Sequence, residues 1–228
     1  PLVIGLGERE FLCASDTPAL AGFTKTILPM EDGEIAMLTP LGIELYNQTG
    51  QRQKRKPAFL SCVEEISDKR NFRHFMLKEI HEQPETAELW VARHLPPGLS
   101  SENPVALPFD DSFYDDIEQI HILACGTSRH AAMVGAYLLE QFASIPTTVF
   151  YASEFRYAAP PLSPKTLTIG VTQSGETADT LAALSMDAER RKSNGKSAFI
   201  SKQLGITNRV ESSLSRQVNN ILDIGAGI

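Results

Sequence analysis

Between Thr172 and Thr177 three hydroxyl side chains (Thr172, Ser174, Thr177) and one glycine (Gly175) fall within six residues, in the run VTQSGETADT from Val171 to Thr180. Hydroxyls donate to phosphate oxygens. A glycine lets the backbone come close to a ligand. A helix that starts here presents free N–H groups and the positive end of its dipole, both of which favour an anion. No lysine stands in the run, unlike the loops that hold nucleoside triphosphates, so the chemistry suits a monophosphate on a small molecule. The plainer account is a Ser/Thr N-cap with a capping-box partner. That account uses one hydroxyl and leaves the others unexplained. Thr172, Gln173, Ser174 and Thr177 are therefore the candidate cradle.

Cys125, Gly126, Thr127 and Ser128 make a second strand-to-helix turn of similar kind. A plain N-cap at Thr127 or Ser128 explains it equally well. The Cys125 thiol reads as a small buried packing group rather than as a nucleophile. His130 stands two positions after Ser128 and does not share its helix face, which argues against a Ser–His pair. Asp16, in CASDTPAL, reads as an N-cap or Asx turn ahead of Thr17 and Pro18.

The elements around these residues fall into two patterns. From Pro1 to Asn47 the short apolar segments LVIGL, EFLCAS, KTILPM, EIAML and GIELYN are separated by turn signals about every ten residues, which predicts antiparallel hairpins. Thr49 to Lys69 is polar and aperiodic, and a domain boundary is expected there. FMLKEIHEQP (Phe75 to Pro84) predicts a helix that stops at its proline, and His94 to Pro108 reads as a loop. From Ile117 onward, apolar strands alternate with helices. Strands are expected at Ile120 to Ala124, Thr147 to Ala152, Thr166 to Thr172 and Lys196 to Ser201. Helices are expected from about Ser128 to Ala143 and from about Glu176 to Lys192. The first carries Met133, Val134, Tyr137, Leu138 and Phe142 on one stripe. Strands apolar throughout and alternating with helices predict an α/β fold, a parallel sheet with helices on both faces. Ligands bind beyond the carboxyl ends of such strands, where both turns are expected.

Composition narrows the partners. The 228 residues carry a formal net charge of −7, which argues against nucleic acid. The basic run QRQKRK (Gln51 to Lys56) reads as a solvated linker. No apolar run approaches the roughly 20 residues of a membrane span, and no signal peptide opens the chain. Cys13, Cys62 and Cys125 are odd in number and far apart, and the five histidines lack metal spacing. A cytoplasmic protein without metal is expected. An apolar strand at the first residue and the ending Gly225 to Ile228 lead us to expect further sequence on both sides.

ILACGTS (Ile122 to Ser128), SEFRY (Ser153 to Tyr157) and TQSGETADT (Thr172 to Thr180) closely resemble the glucosamine-6-phosphate synthase family, the isomerizing glutamine–fructose-6-phosphate aminotransferases. PLVIGLGE (Pro1 to Glu8), ASD (Ala14 to Asp16) and HFMLKEIHEQP (His74 to Pro84) resemble the same family in the same order. The resemblance implies that residues 1–67 are the end of an N-terminal-nucleophile glutaminase domain plus linker. It implies that residues 68–228 are the first sugar-isomerase (SIS) module, incomplete at its end. Fructose 6-phosphate and glutamine are then the implied substrates, with no cofactor and a homodimer. Thr172, Gln173, Ser174 and Thr177 match the family's phosphate cradle, although serine is usual where Thr172 stands. Cys125, Gly126, Thr127 and Ser128 match the turn facing the sugar, and Asp16 matches the carboxylate that holds the glutamine amino group. The nucleophilic cysteine and its helpers would precede Pro1, and the residues that open the sugar would follow Ile228. No catalytic residue is therefore expected within the chain. A non-catalytic sugar-phosphate-binding regulator or a stand-alone phosphosugar isomerase would share the second half. The β-rich first segment argues against both.

Overall fold

The computed structural model describes residues 2–15, 17–31, 33–59, 69–98, 105–194 and 202–226. The chain divides into two compact units, Pro1–His81 and Glu82–Gly227.

In the first unit the expected hairpins form. β1 (Val3–Leu6), β2 (Phe11–Ala14) and β3 (Thr26–Pro29) pair antiparallel, with a one-turn helix α1 (Pro18–Ala21) between β2 and β3. β4 (Ile35–Thr39) and β5 (Gly42–Tyr46) make a second antiparallel sheet. Alternation along the strands sends Ile4, Leu28 and Leu45 to one apolar cluster and Val3 and Ile27 to another, which Leu20 of α1 joins, as the two-residue period of a strand requires. The segment read as a polar linker contributes two short strands. β6 (Arg52–Gln53) extends the second sheet, and β7 (Ala58–Phe59) extends the first. Its basic run is only partly solvated. Arg52 pairs with Glu44 at 2.8 Å. Arg55 grips both oxygens of Glu34 at 2.8 Å and donates to the Pro29 carbonyl at 2.7 Å. The bidentate fork of Arg55 fixes the segment between β6 and β7 where composition alone read a solvated linker.

Helix α2 (Phe75–His94) runs through Pro84 instead of stopping there. One interior proline costs a helix about 3 kcal/mol. Strong helix formers on both sides, among them Lys78, Glu79, Glu85, Glu88 and Leu89, offset that cost.

The second unit is the expected α/β sheet. β8 (Gln119–Ala124), β9 (Thr147–Tyr151), β10 (Thr166–Val171), β11 (Lys202–Thr207) and β12 (Asn220–Asp223) lie in the order β12-β11-β10-β8-β9. All four pairings are parallel. The strand expected at Lys196 to Ser201 lies outside the described residues, and β11 and β12 were not anticipated. Among the described residues, four α-helices follow β8: α3 (Gly126–Ala143), α4 (Ala152–Phe155), α5 (Ala178–Ser193) and α6 (Ser213–Gln217). One sheet face buries Ile120, Ile122, Leu167 and Ile169 with Ala132 of α3. The other buries Leu123 against Phe155 of α4, Leu184 of α5 and Leu214 of α6.

The apolar stripe read on α3 is not its buried face. Ala132 and Ala136 are buried, with Leu139 packed beside the sheet cluster. Val134, Tyr137 and Phe142 are 60%, 70% and 78% exposed. Alanines at this spacing let the helix approach the sheet closely, so the larger side chains point away. On the opposite face a buried ion pair holds α5 to the sheet. Arg191 Nε donates to Asp187 at 3.0 Å, Thr168 Oγ1 donates to the same carboxylate at 3.0 Å, and Arg191 Nη1 donates to the Ser163 carbonyl at 2.8 Å. Both charged side chains are 2% exposed.

Candidate functional site

The strand order sets the place of the site. The chain leaves β8, forms β9 on one side of it, then crosses back to form β10 on the other side and continues to β11 and β12. The order therefore reverses between β8 and β10, and ligands of open α/β sheets bind at such a switch point, beyond the carboxyl ends of the strands. Val171 is in register with Ala124, so the turns that begin at Cys125 and Thr172 leave adjacent strands, about 4.8 Å apart, at one edge. The two turns singled out in the sequence are thus brought together.

Local bonding fixes the second turn. The Thr172 amide donates to the Ile206 carbonyl at 3.1 Å, and the Gly175 amide donates to the Thr172 carbonyl at 3.3 Å. The Gln173 carbonyl accepts from the Asn208 amide at 3.0 Å and from Thr207 Oγ1 at 3.2 Å, while its side chain is exposed. Gly175 has φ +68°. A Cβ there would lie 2.0 Å from Ser212 Oγ, so both conformation and space call for glycine.

The hydroxyls do not cap the helix. Thr177 is the N-cap of α5 and makes no side-chain cap bond. Its Oγ1 instead lies 2.7 Å from Thr172 Oγ1, and Ser174 Oγ accepts from the Glu176 amide at 3.2 Å. The first helical amide to find a carbonyl is that of Leu181, bonded to Thr177 at 3.0 Å. The amides of Ala178, Asp179 and Thr180 have no partner among the described residues. Thr180 Oγ1 is buried and equally unpartnered. A capping box would have satisfied the Thr180 amide. Left free at the positive end of a sixteen-residue helix, these amides are suited to an anion. Asp179 in the first turn would oppose one, but its carboxylate is paired with Arg156 of the SEFRY run at 2.9 Å.

The first turn is more open. Gly126 has φ +57°, Thr127 is exposed and Ser128 half-buried. Neither hydroxyl has a hydrogen-bond partner among the described residues. The Cys125 side chain packs beside the Leu123–Phe155 cluster, as expected of a packing group. One residue the sequence reading passed over stands here. The Arg129 guanidinium lies 3.8 Å over the Tyr151 ring, and Tyr151 is in register with Ala124. A cation stacked at the end of β9 adds positive charge to the same edge. Asp16 lies outside the described residues. Among the described residues no group of acidic, histidine and cysteine side chains could hold a metal, and no helix is long and apolar enough to cross a membrane.

Residues 113–227 match the family model for the SIS domain. Over its full length the chain is 55% identical, across 231 residues, to the glutamine–fructose-6-phosphate aminotransferase [isomerizing] of Nostoc sp. (strain PCC 9229), and 43% identical, across 227 residues, to that of Aquifex aeolicus (strain VF5). It spans 36% and 35% of those relatives' lengths. Among solved structures, the C-terminal domain of glucosamine-fructose-6-phosphate aminotransferase from Francisella tularensis superposes with a TM-score of 0.58 at 34% identity. That match covers 71% of this chain and 42% of the other.

Proposed function

The chain belongs to the SIS-domain family, and on that premise we propose that its second unit is the sugar-phosphate-binding module of a glutamine–fructose-6-phosphate aminotransferase. The full-length similarity to enzymes of that name supports the reading. The whole protein would transfer the amide nitrogen of glutamine to fructose 6-phosphate, giving glucosamine 6-phosphate. Residues 1–67 would be the end of its glutaminase domain plus linker, with Asp16 on the glutamine amino group, and residues 68–228 the first SIS module.

The observation that carries the proposal is the helix start left uncapped beside paired hydroxyls at the switch point. In the bound state the amides of Ala178 to Thr180 and the hydroxyls of Thr172, Ser174 and Thr177 would take the phosphate, with Gln173 at its rim. The sugar would extend toward Cys125, Gly126, Thr127 and Ser128. A homodimer in the cytoplasm completes the reading. The exposed stripe of Val134, Tyr137 and Phe142 on α3 offers apolar area that association could cover.

Calorimetric titration of the chain with fructose 6-phosphate and with fructose tests the proposal. The ester is expected to bind and the free sugar not to. A Ser174→Ala/Thr177→Ala variant is expected to lose about 100-fold in affinity, as two hydrogen bonds to a charged ligand would give. Equal binding of the two sugars would contradict the phosphate reading.

A further inference from the structure

We infer that Glu176 is a positioning residue for the phosphate turn, holding it in working shape by fastening it to the start of α6. The inference rests on the reading of that turn as a phosphate cradle.

Two consecutive amides at the start of α6 bond to two consecutive residues of the turn. The Ser213 amide donates to Glu176 Oε1 at 2.9 Å. The Leu214 amide donates to the Gly175 carbonyl at 3.0 Å. Ser212, the N-cap of α6, makes no side-chain cap bond of its own, so the turn caps α6 from outside. In the other direction α6 anchors the turn, because Leu214 is fully buried in the core beneath it. Glu176 contributes its side chain to this fastening. The bonds from Thr172, Gln173 and Gly175 to Ile206, Thr207, Asn208 and Leu214 use turn backbone.

Its place in the chain explains why this matters. Glu176 stands between Gly175, whose backbone is left-handed, and Thr177, whose hydroxyl meets Thr172. Its own amide holds Ser174 Oγ. Rotation of this peptide displaces both candidate phosphate donors together. The second carboxylate oxygen, Oε2, is buried with no partner. A surface cap would leave that oxygen in water, and keeping it buried is costly. The side chain is therefore held in place and not merely resting on the surface.

The test removes one hydrogen bond from each end. Glu176→Ala deletes the acceptor. Ser213→Pro deletes the donor without touching the turn. Proline is favoured at the first position of a helix, and Ser212 before it is already extended at ψ 173°. Affinity for fructose 6-phosphate is measured by calorimetry for each single variant and for the double, with thermal melts as the folding control. Each single variant is expected to weaken binding roughly tenfold, the double no more than either, since both cut the same bond. Glu176→Gln, which keeps an acceptor for the Ser213 amide, is expected to stay within about threefold of the parent. Unchanged binding in folded Glu176→Ala, or strict additivity in the double, overturns the positioning role alone. Failure of the parent chain to bind the ester while fully folded overturns the phosphate reading and this inference with it.

Discussion

At the residue scale the cradle depends on groups that share a turn but not a role. Ser174 and Thr177 would reach the ligand, while Ser128 stands on the neighbouring turn, where a sugar hydroxyl would meet it. Ser174→Ala is therefore expected to weaken fructose 6-phosphate binding more than Ser128→Ala, by about tenfold against a few-fold, because a hydrogen bond to a charged group is the stronger of the two. Equal losses in the two titrations would remove the distinction. Gly175 is set by space and backbone together, with φ +68° and Ser212 Oγ 2.0 Å from the site of a Cβ. Gly175→Ala is expected to cost more than about 1–2 kcal/mol, the strain of a left-handed backbone alone, and to abolish ester binding. A melt with an unchanged midpoint would contradict this. The hydroxyls and the glycine were legible in the sequence because their density exceeds what one N-cap needs. Glu176 was given no site role there, and its tie to Ser213 could not be seen, because the partner is 37 residues away on an element that sequence periodicity did not reveal. Arg129 was passed over for a similar reason. Its significance lies in a ring on the next strand.

At the scale of elements, strands β8, β9 and β10 were legible because each is a short run dominated by apolar and β-branched residues. β11 was not, since KQLGIT opens with Lys202 and Gln203 and breaks the pattern that marks a buried strand. Gln203 is nevertheless buried, and its amide donates to the Leu184 carbonyl at 2.9 Å. The extent of α2 was missed because proline was taken as a stop, and the buried face of α3 because large apolar side chains outweighed alanines in the reading. The placement of α5, whose start forms half of the candidate site, draws on Asp187 and Arg191 as well as on buried Ala183 and Leu184. Asp187→Ala would leave the Arg191 guanidinium buried beside Thr168 without its partner. A loss of about 3–5 kcal/mol is expected, measured by denaturant unfolding of the chain. A loss below 1 kcal/mol would mean that the pair does not anchor the helix.

At the scale of the whole molecule, stability should respond to pH through the sheet interior. His121 on β8 is 7% exposed, with its ring edge-on to Phe150 of β9. Burial lowers its pKa, with the nearby Arg191 acting the same way and Asp187 opposing. The unfolded chain therefore takes up this proton first as pH falls. Stability is full above the unfolded value of 6.5 and is lost as pH drops from there toward the lower folded value. Thermal midpoints at pH 7.5 and 5.5 should show that decline, and His121→Gln should flatten it. An equal decline in the variant would assign the effect to other groups. Composition indicated an acidic protein, and the alternation of strands and helices indicated the sheet. Only the strand order put the two turns side by side, and that order is long-range information. The central claim is that this shared edge takes the phosphate of a sugar ester. Amide chemical-shift mapping of the ¹⁵N-labelled chain with fructose 6-phosphate tests it most directly. The account predicts the largest shifts at Ser174 to Thr180, smaller ones at Gly126 to Arg129, and the first set alone with inorganic phosphate. Saturable shifts confined to other parts of the chain would contradict it.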